Sequence, residues 1–266
     1  MSRFSITRLS CLPLVAVAFL LGVGSALADG VNTSDLSQLV PAERGIDLAF
    51  PAIFGAASAI PAPGGTGYVA LTYATPRNGI KGNGDDGDLV AGYTIGNPVD
   101  AISLSFGVAI TGLDPFGDSG SFSVTASRMI TASDRSATFL GASVLGIGSW
   151  GDARADGEAI NVFASHLTSL PMERVDIPVQ LTVGYGTRTT LDSDGSGRVD
   201  DGPFYGIGIG VFEPLAISLS GTTSQLNLGA VLYIREIDGL SVVAGVFDIF
   251  DNTDRQQATL TVAYAF

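Results

Sequence analysis

Charge is scarce in this chain, and positive charge is scarcest. Charged residues make up 15% of its 266 residues, against ~25% in an ordinary soluble protein. Thirteen basic residues face 26 acidic ones. So acidic a surface cannot wrap a phosphate backbone, which excludes nucleic acid as a partner. The single cysteine, Cys11, lies in an apolar run near the N-terminus, and the single histidine is His166. Beyond residue 28 no stretch reaches the ~18 apolar residues of a membrane-spanning helix. Even so, 46% of the residues are hydrophobic and 35 are glycine. The hydrophobicity must therefore be dispersed in short or alternating patterns.

The N-terminus accounts for part of it. Arg3 and Arg8 precede the apolar run Cys11–Ser25, and Ala26-Leu27-Ala28 supplies small residues for cleavage. This is the layout of a secretory signal peptide over residues 1–28. A lipid anchor would need a cysteine after the run, whereas Cys11 begins it. Cleavage is expected to leave a chain with no disulfide, no thiol nucleophile and no cysteine metal site. Thirteen basic residues less Arg3 and Arg8 leaves 11 against 26 acidic ones, a formal charge of −15.

Residues 29–66 differ in pattern from the remainder of the mature chain. Pro41, Pro51, Pro61 and Pro63 interrupt any long element, and Phe50–Ile60 (FPAIFGAASAI) is apolar and rich in small residues. Two readings stay open: a periplasmic lead-in that packs against the first strands, or a plug that enters whatever encloses it.

From Gly67 onward apolar and small residues alternate with the period of two expected of strands. Val69, Leu71 and Tyr73 oppose Ala70, Thr72 and Ala74. The same pattern recurs at 102–110, 177–185, 205–211 and 215–219, and it is blurred in a fifth strand at 135–148 and a sixth at 158–168. In all, about twelve strands are predicted, with ten or fourteen also compatible, each near the ten residues of a tilted membrane strand. Connections after odd strands are mostly longer, glycine-rich and acidic, and those after even strands are mostly short. The predicted fold class is an all-β, transmembrane antiparallel β-barrel over residues 67–266. A soluble sandwich would bury the same apolar faces between two sheets.

The last strand is the most regular. In Gln256–Phe266 (QQATLTVAYAF), Leu260, Val262, Tyr264 and Phe266 share one face and Thr259, Thr261, Ala263 and Ala265 the other. This ending resembles the final strand of bacterial outer-membrane β-barrel proteins, porin-like barrels included. The resemblance implies an outer-membrane location, lipid and lipopolysaccharide as surroundings, and barrel-assembly machinery that reads the terminal phenylalanine. It also implies that the apolar face meets lipid and that the first strand closes the barrel against the last. The other face of the strands, built of Gly, Ala, Ser and Thr, would then line a roomy lumen. Gln180, Arg188, Asn227, Tyr233 and Arg235 are its few large polar candidates.

Candidate chemistry is sparse. Asp192, Asp194, Ser196 and Asp200 stand at positions 1, 3, 5 and 9 of a segment resembling an EF-hand calcium loop, with Gly197 at the turn. Pro203 occupies position 12, where a bidentate glutamate is expected, so the segment is either a weakened Ca²⁺ site or a solvated acidic tip. Further aspartates in the long loops, among them Asp85, Asp118 and Asp254, give the expected outer rim a negative field. Outer-membrane phospholipase A, which this chain resembles in strand number, uses a Ser–His–Asn set. Here His166 falls in the part of its strand that returns to the periplasm and lacks the accompanying motif, so the chain is read as not an enzyme, with no cofactor required. The expectation is a porin-like channel for passive diffusion of small solutes. The alternative is a non-conducting structural or adhesive barrel whose acidic loops bind cations or partners.

Overall fold

The computed structural model describes residues 48–79, 85–111, 116–155, 157–172, 175–191 and 199–266. Twelve strands run in chain order: β1 Gly67–Ala74, β2 Asp86–Gly96, β3 Ser103–Thr111, β4 Gly120–Ser133, β5 Ser136–Trp150, β6 Ala159–Pro171, β7 Asp176–Leu191, β8 Val199–Phe212, β9 Leu215–Gly221, β10 Leu226–Tyr233, β11 Leu240–Phe247 and β12 Gln257–Ala265. Each strand pairs antiparallel with its sequence neighbours, and β1 pairs with β12 to close the barrel. Closure leaves no free edge whose N–H and C=O groups would be stranded in lipid.

The seam lies where the C-terminal pattern places it. Leu71 stands opposite Val262 and Thr72 opposite Thr261, so apolar meets apolar outside and hydroxyl meets hydroxyl inside. Gly67 and Phe266 exchange both backbone bonds, Gly67 N to Phe266 O at 2.8 Å and Phe266 N to Gly67 O at 2.9 Å. The Phe266 ring covers Gly67, where an added Cβ would stand 2.7 Å from it.

The outward face is apolar on strand after strand. Leu71, Phe106, Ile160, Val183, Tyr205 and Val262 are all exposed, Val183 to 62%. A closed sheet with large side chains turned outward and small ones inward inverts the soluble pattern, and hydrocarbon is the medium that covers it. The fold is therefore a transmembrane barrel of the outer-membrane type.

At one end the connections are short: Asp134-Arg135 joins β4 to β5, and Glu213-Pro214 joins β8 to β9. The long loops gather at the other end, although the β9–β10 connection, residues 222–225, is short there too. Two wall irregularities lie in the outer half. The β4–β5 register shifts where Gly146 and Gly148 take positive φ, and the β7–β8 register shifts at Arg188, with φ 58°.

Candidate functional site: the occupied lumen

Residues 48–66 lie inside the barrel. They enter at the short-turn end, where Ala49 N donates to Phe212 O at 2.9 Å, and run along the inner face of β8. This strand reads Gly206-Ile-Gly208-Ile-Gly210, with isoleucine outward and glycine inward. The glycines leave room for another backbone. A Cβ on Gly210 would stand 2.1 Å from Ala49 O, one on Gly208 2.6 Å from Ala52 O, and one on Gly206 2.6 Å from Ile53 Cγ2.

Phe54 is seated against two further strands. Gly229 of β10 and Gly245 of β11 face each other across the ladder, and the ring lies over both. A Cβ at Gly229 would be 2.2 Å from Phe54 Cβ, and one at Gly245 2.4 Å from its Cζ. The ring also packs on Phe247, with centroids 4.5 Å apart at 40°. Two serines of β9 clasp the backbone: Phe54 N donates to Ser218 Oγ at 2.9 Å, and Ser220 Oγ donates to Phe54 O. Gly55 turns the chain at φ 76°. The segment then crosses to β6 and β7, where Ala59 N donates to Ser165 Oγ at 2.8 Å and Gln180 Nε2 to Ser58 Oγ at 2.7 Å. It descends to the short-turn end, where Gly65 N donates to Thr94 O at 2.8 Å. Both ends of the insert therefore leave by the same mouth.

The wall matches its occupant. Ile53, Ala56, Ala57, Ala59 and Ile60 form one apolar cluster with Ala137 and Phe139 of β5, Phe163 and Leu167 of β6, and Phe204 of β8. These inward-pointing apolar side chains explain the blurred alternation of β5 and β6, since both faces of those strands are apolar for different reasons. Tyr68 fills the opposite side of the lumen, its ring against Gly92 and Gly107 and its body on Ala70, Val90, Ala109 and Ala263.

Elsewhere the inner face is hydroxyl-rich and largely pairs with itself. Thr72 Oγ1 and Thr261 Oγ1 lie 3.1 Å apart, Thr94 Oγ1 and Ser105 Oγ 2.9 Å, and Asn161 Nδ2 donates to Ser143 Oγ at 3.2 Å. Ser165 and Thr182 also bond to each other. Ser241 Oγ, Thr259 Oγ1 and Asn161 Oδ1 are buried with no protein partner among the described residues. In this conformation the inner wall is closed to water: Thr72, Thr182 and Asn227 are each 2% exposed or less.

Of the large polar residues expected inside, Gln180 and Asn227 are there, and Tyr233 donates its hydroxyl to Phe50 O at 3.3 Å. Arg235 is not. It sits in the β10–β11 turn, ion-paired with Glu213 of the β8–β9 turn and exposed. Arg188 lies at the opposite end, its backbone N donating to Asp201 Oδ1 at 3.1 Å and its guanidinium beside Gly157. The wall irregularity at Arg188 turns its side chain toward the rim, which period two alone does not anticipate.

Asp200 of the candidate calcium loop lies within β8, paired with Thr190. Asp192, Asp194 and Ser196 lie outside the described residues. Among the described residues no group of three or more His, Cys, Asp or Glu side chains stands ready to hold a metal. His166 faces outward from β6, with Nδ1 2.9 Å from Thr138 Oγ1 of β5. Exposed Val162 and Leu170 flank it on the same face, so the imidazole is directed away from the lumen.

Sequence reading does not single out Asp248. It is fully buried and organises the β11–β12 loop. Asn252 N donates to its Oδ1 at 3.0 Å, and Thr253 N and Thr253 Oγ1 donate to its Oδ2 at 2.8 and 2.6 Å. Asp248, Asp251 and Asp254 all take φ near +50°, at 51°, 55° and 54°, a region aspartate enters more readily than most residues. The spacing D-x-x-D-x-x-D was the available signal.

No protein-family model and no curated protein matches the chain. Among solved structures it is similar to the KdgM porin, at 12% identity over 75% of this chain and 99% of that one, with a TM-score of 0.49. It is also similar to the outer membrane protein Omp33 of Acinetobacter baumannii, at 11% identity over 76% and 98%, with a TM-score of 0.48. The NanC porin matches at 9% identity over 74% and 98%, with a TM-score of 0.47. Identities this low with TM-scores below 0.5 carry no argument about this chain.

Proposed function

We propose that this protein is an outer-membrane, porin-like channel for small solutes. The observation that carries this reading is what fills the barrel. A narrow barrel made only for structure can fill its interior with large side chains from its own wall. Here much of the wall is glycine, serine and threonine, and a separate stretch of chain occupies the space. Without that stretch the glycine stripe of β8 and the hydroxyls of β6, β7 and β9 would line a bore.

The bore would suit neutral or cationic solutes. Asp88 and Asp176 are inward and buried near opposite ends of the wall, and the long loops add acidic residues at the rim, which enriches cations at the mouth. A second reading, a non-conducting surface barrel whose acidic loops bridge cations to lipopolysaccharide, draws on the filled lumen itself.

Planar-bilayer recordings separate the two. The mature chain and a variant with Ile53→Ser and Phe54→Ser are inserted side by side. Stepwise, cation-preferring current is expected, and more of it from the variant. A correctly inserted variant that passes no current would favour the structural barrel.

A further inference from the structure

We propose that residues 48–66 are a self-inhibitory plug, one that leaves and re-enters the lumen through the short-turn mouth. The inference rests on the channel reading and concerns how that channel is regulated.

Four observations carry it. First, the wall is complete without the insert: the strand ladder closes through β1 and β12, and residues 48–66 add no strand to it. Second, both ends of the insert are at one mouth, Ala49 at Phe212 and Gly65 at Thr94. A hairpin entering and leaving on one side can retreat without threading the barrel. Third, two of the hydroxyls it would uncover keep a partner in the wall. Ser165 pairs with Thr182, and Ser220 Oγ accepts from Asn227 Nδ2 at 3.2 Å. The orphaned Ser241 Oγ, Thr259 Oγ1 and Asn161 Oδ1 would gain water, and leaving such groups buried and unmet is costly. Fourth, the segment 48–66 contains no ionisable side chain. Its tie to the wall is packing plus bonds between neutral groups.

The fourth point sets the kind of control. A segment without charge does no work in a transmembrane field as it moves, so voltage does not drive it. Opening instead follows the balance between the apolar seat of Ile53 and Phe54 and whatever loosens the insert from the short-turn side.

The test is a staple. A Cβ on Gly206 would lie 2.6 Å from Ile53 Cγ2, which puts the two Cβ atoms within reach of a disulfide. Cys11 is the chain's only cysteine and lies in the leader, so the pair Ile53→Cys with Gly206→Cys has no competitor in the mature chain. The full mature chain carrying this pair is recorded in planar bilayers before and after reduction. Expected is near silence when oxidised and at least a tenfold rise in open probability on reduction, with the same rise at both polarities. Equal current in the two redox states overturns the plug and leaves the channel reading standing. Silence in both states, and in Phe54→Ala with its wall unaltered, overturns the channel reading and the plug with it.

Discussion

Gly229 is where one added methyl group should tell most. It stands inward on β10, opposite Gly245, with its φ outside the left-handed region, so alanine suits the backbone there. In a strand interior alanine is favoured over glycine by about 0.5–1 kcal/mol, and the wall should be unharmed or slightly firmer. The new Cβ would fall 2.2 Å from Phe54 Cβ and 2.6 Å from Cγ. These atoms are at the root of the side chain, so rotating the ring cannot relieve the clash and the insert backbone must shift. Losing the buried seat of one phenylalanine costs about 1.5–3 kcal/mol. At 1.4 kcal/mol per factor of ten, the plugged form should lose roughly 10- to 100-fold in population relative to the open one. Single-channel recording reads this as open probability, and resistance of the folded barrel to heat in detergent reports on the wall. Gly229→Ala with unchanged open probability and an intact barrel would refute the seating of Phe54.

Particular contacts set three further outcomes. Deleting Phe266 removes the paired bonds with Gly67 and the ring over it, so assembly into membranes should fall severalfold while assembled barrels behave as wild type; normal assembly yield would contradict this. Asp248→Ala strips the buried acceptor from Asn252 N, Thr253 N and Thr253 Oγ1, a loss of about 1.5–3 kcal/mol for hydrogen bonds to a charged group; faster proteolysis within residues 248–256 is expected, with Asp248→Asn intermediate. A calcium titration of the refolded barrel decides between the two readings of the acidic loop: a saturable signal that Asp192→Ala with Asp194→Ala abolishes assigns Ca²⁺ to the loop, and no signal, or one indifferent to those changes, leaves it a solvated acidic tip.

Most of the barrel was legible because period two is a strong code when one face meets lipid. Leu260, Val262 and Tyr264 could face only one way, and their exposure beside buried Thr259, Thr261 and Ala263 is the direct result. The strands that read poorly, β5 and β6, did so for a reason that sequence alone could not supply. Phe139, Phe163 and Leu167 point inward because an apolar segment distant in the chain lies against them. The glycine stripe at 206, 208 and 210 was visible as empty space, but nothing local says whether water or backbone fills it. Placing the insert depends on long-range complementarity between Phe50–Ile60 and seven wall strands, β5 to β11. The rim is legible as charge and as the spacing of Asp248, Asp251 and Asp254, but which carboxylate is buried shows only when Asp248 is seen bonded to the turn it caps.

Covering the wall is the claim on which the rest depends, and thiol labelling of a single lumen position tests it most directly. Ser218 is 4% exposed and lies beneath Phe54, and Ser218→Cys keeps the size of the side chain. A small water-soluble thiol reagent should label that cysteine slowly in the otherwise wild-type barrel and at least tenfold faster when Phe54→Ala or Gly229→Ala loosens the insert. Rapid labelling at the same rate in all three would mean that residues 48–66 do not close the lumen.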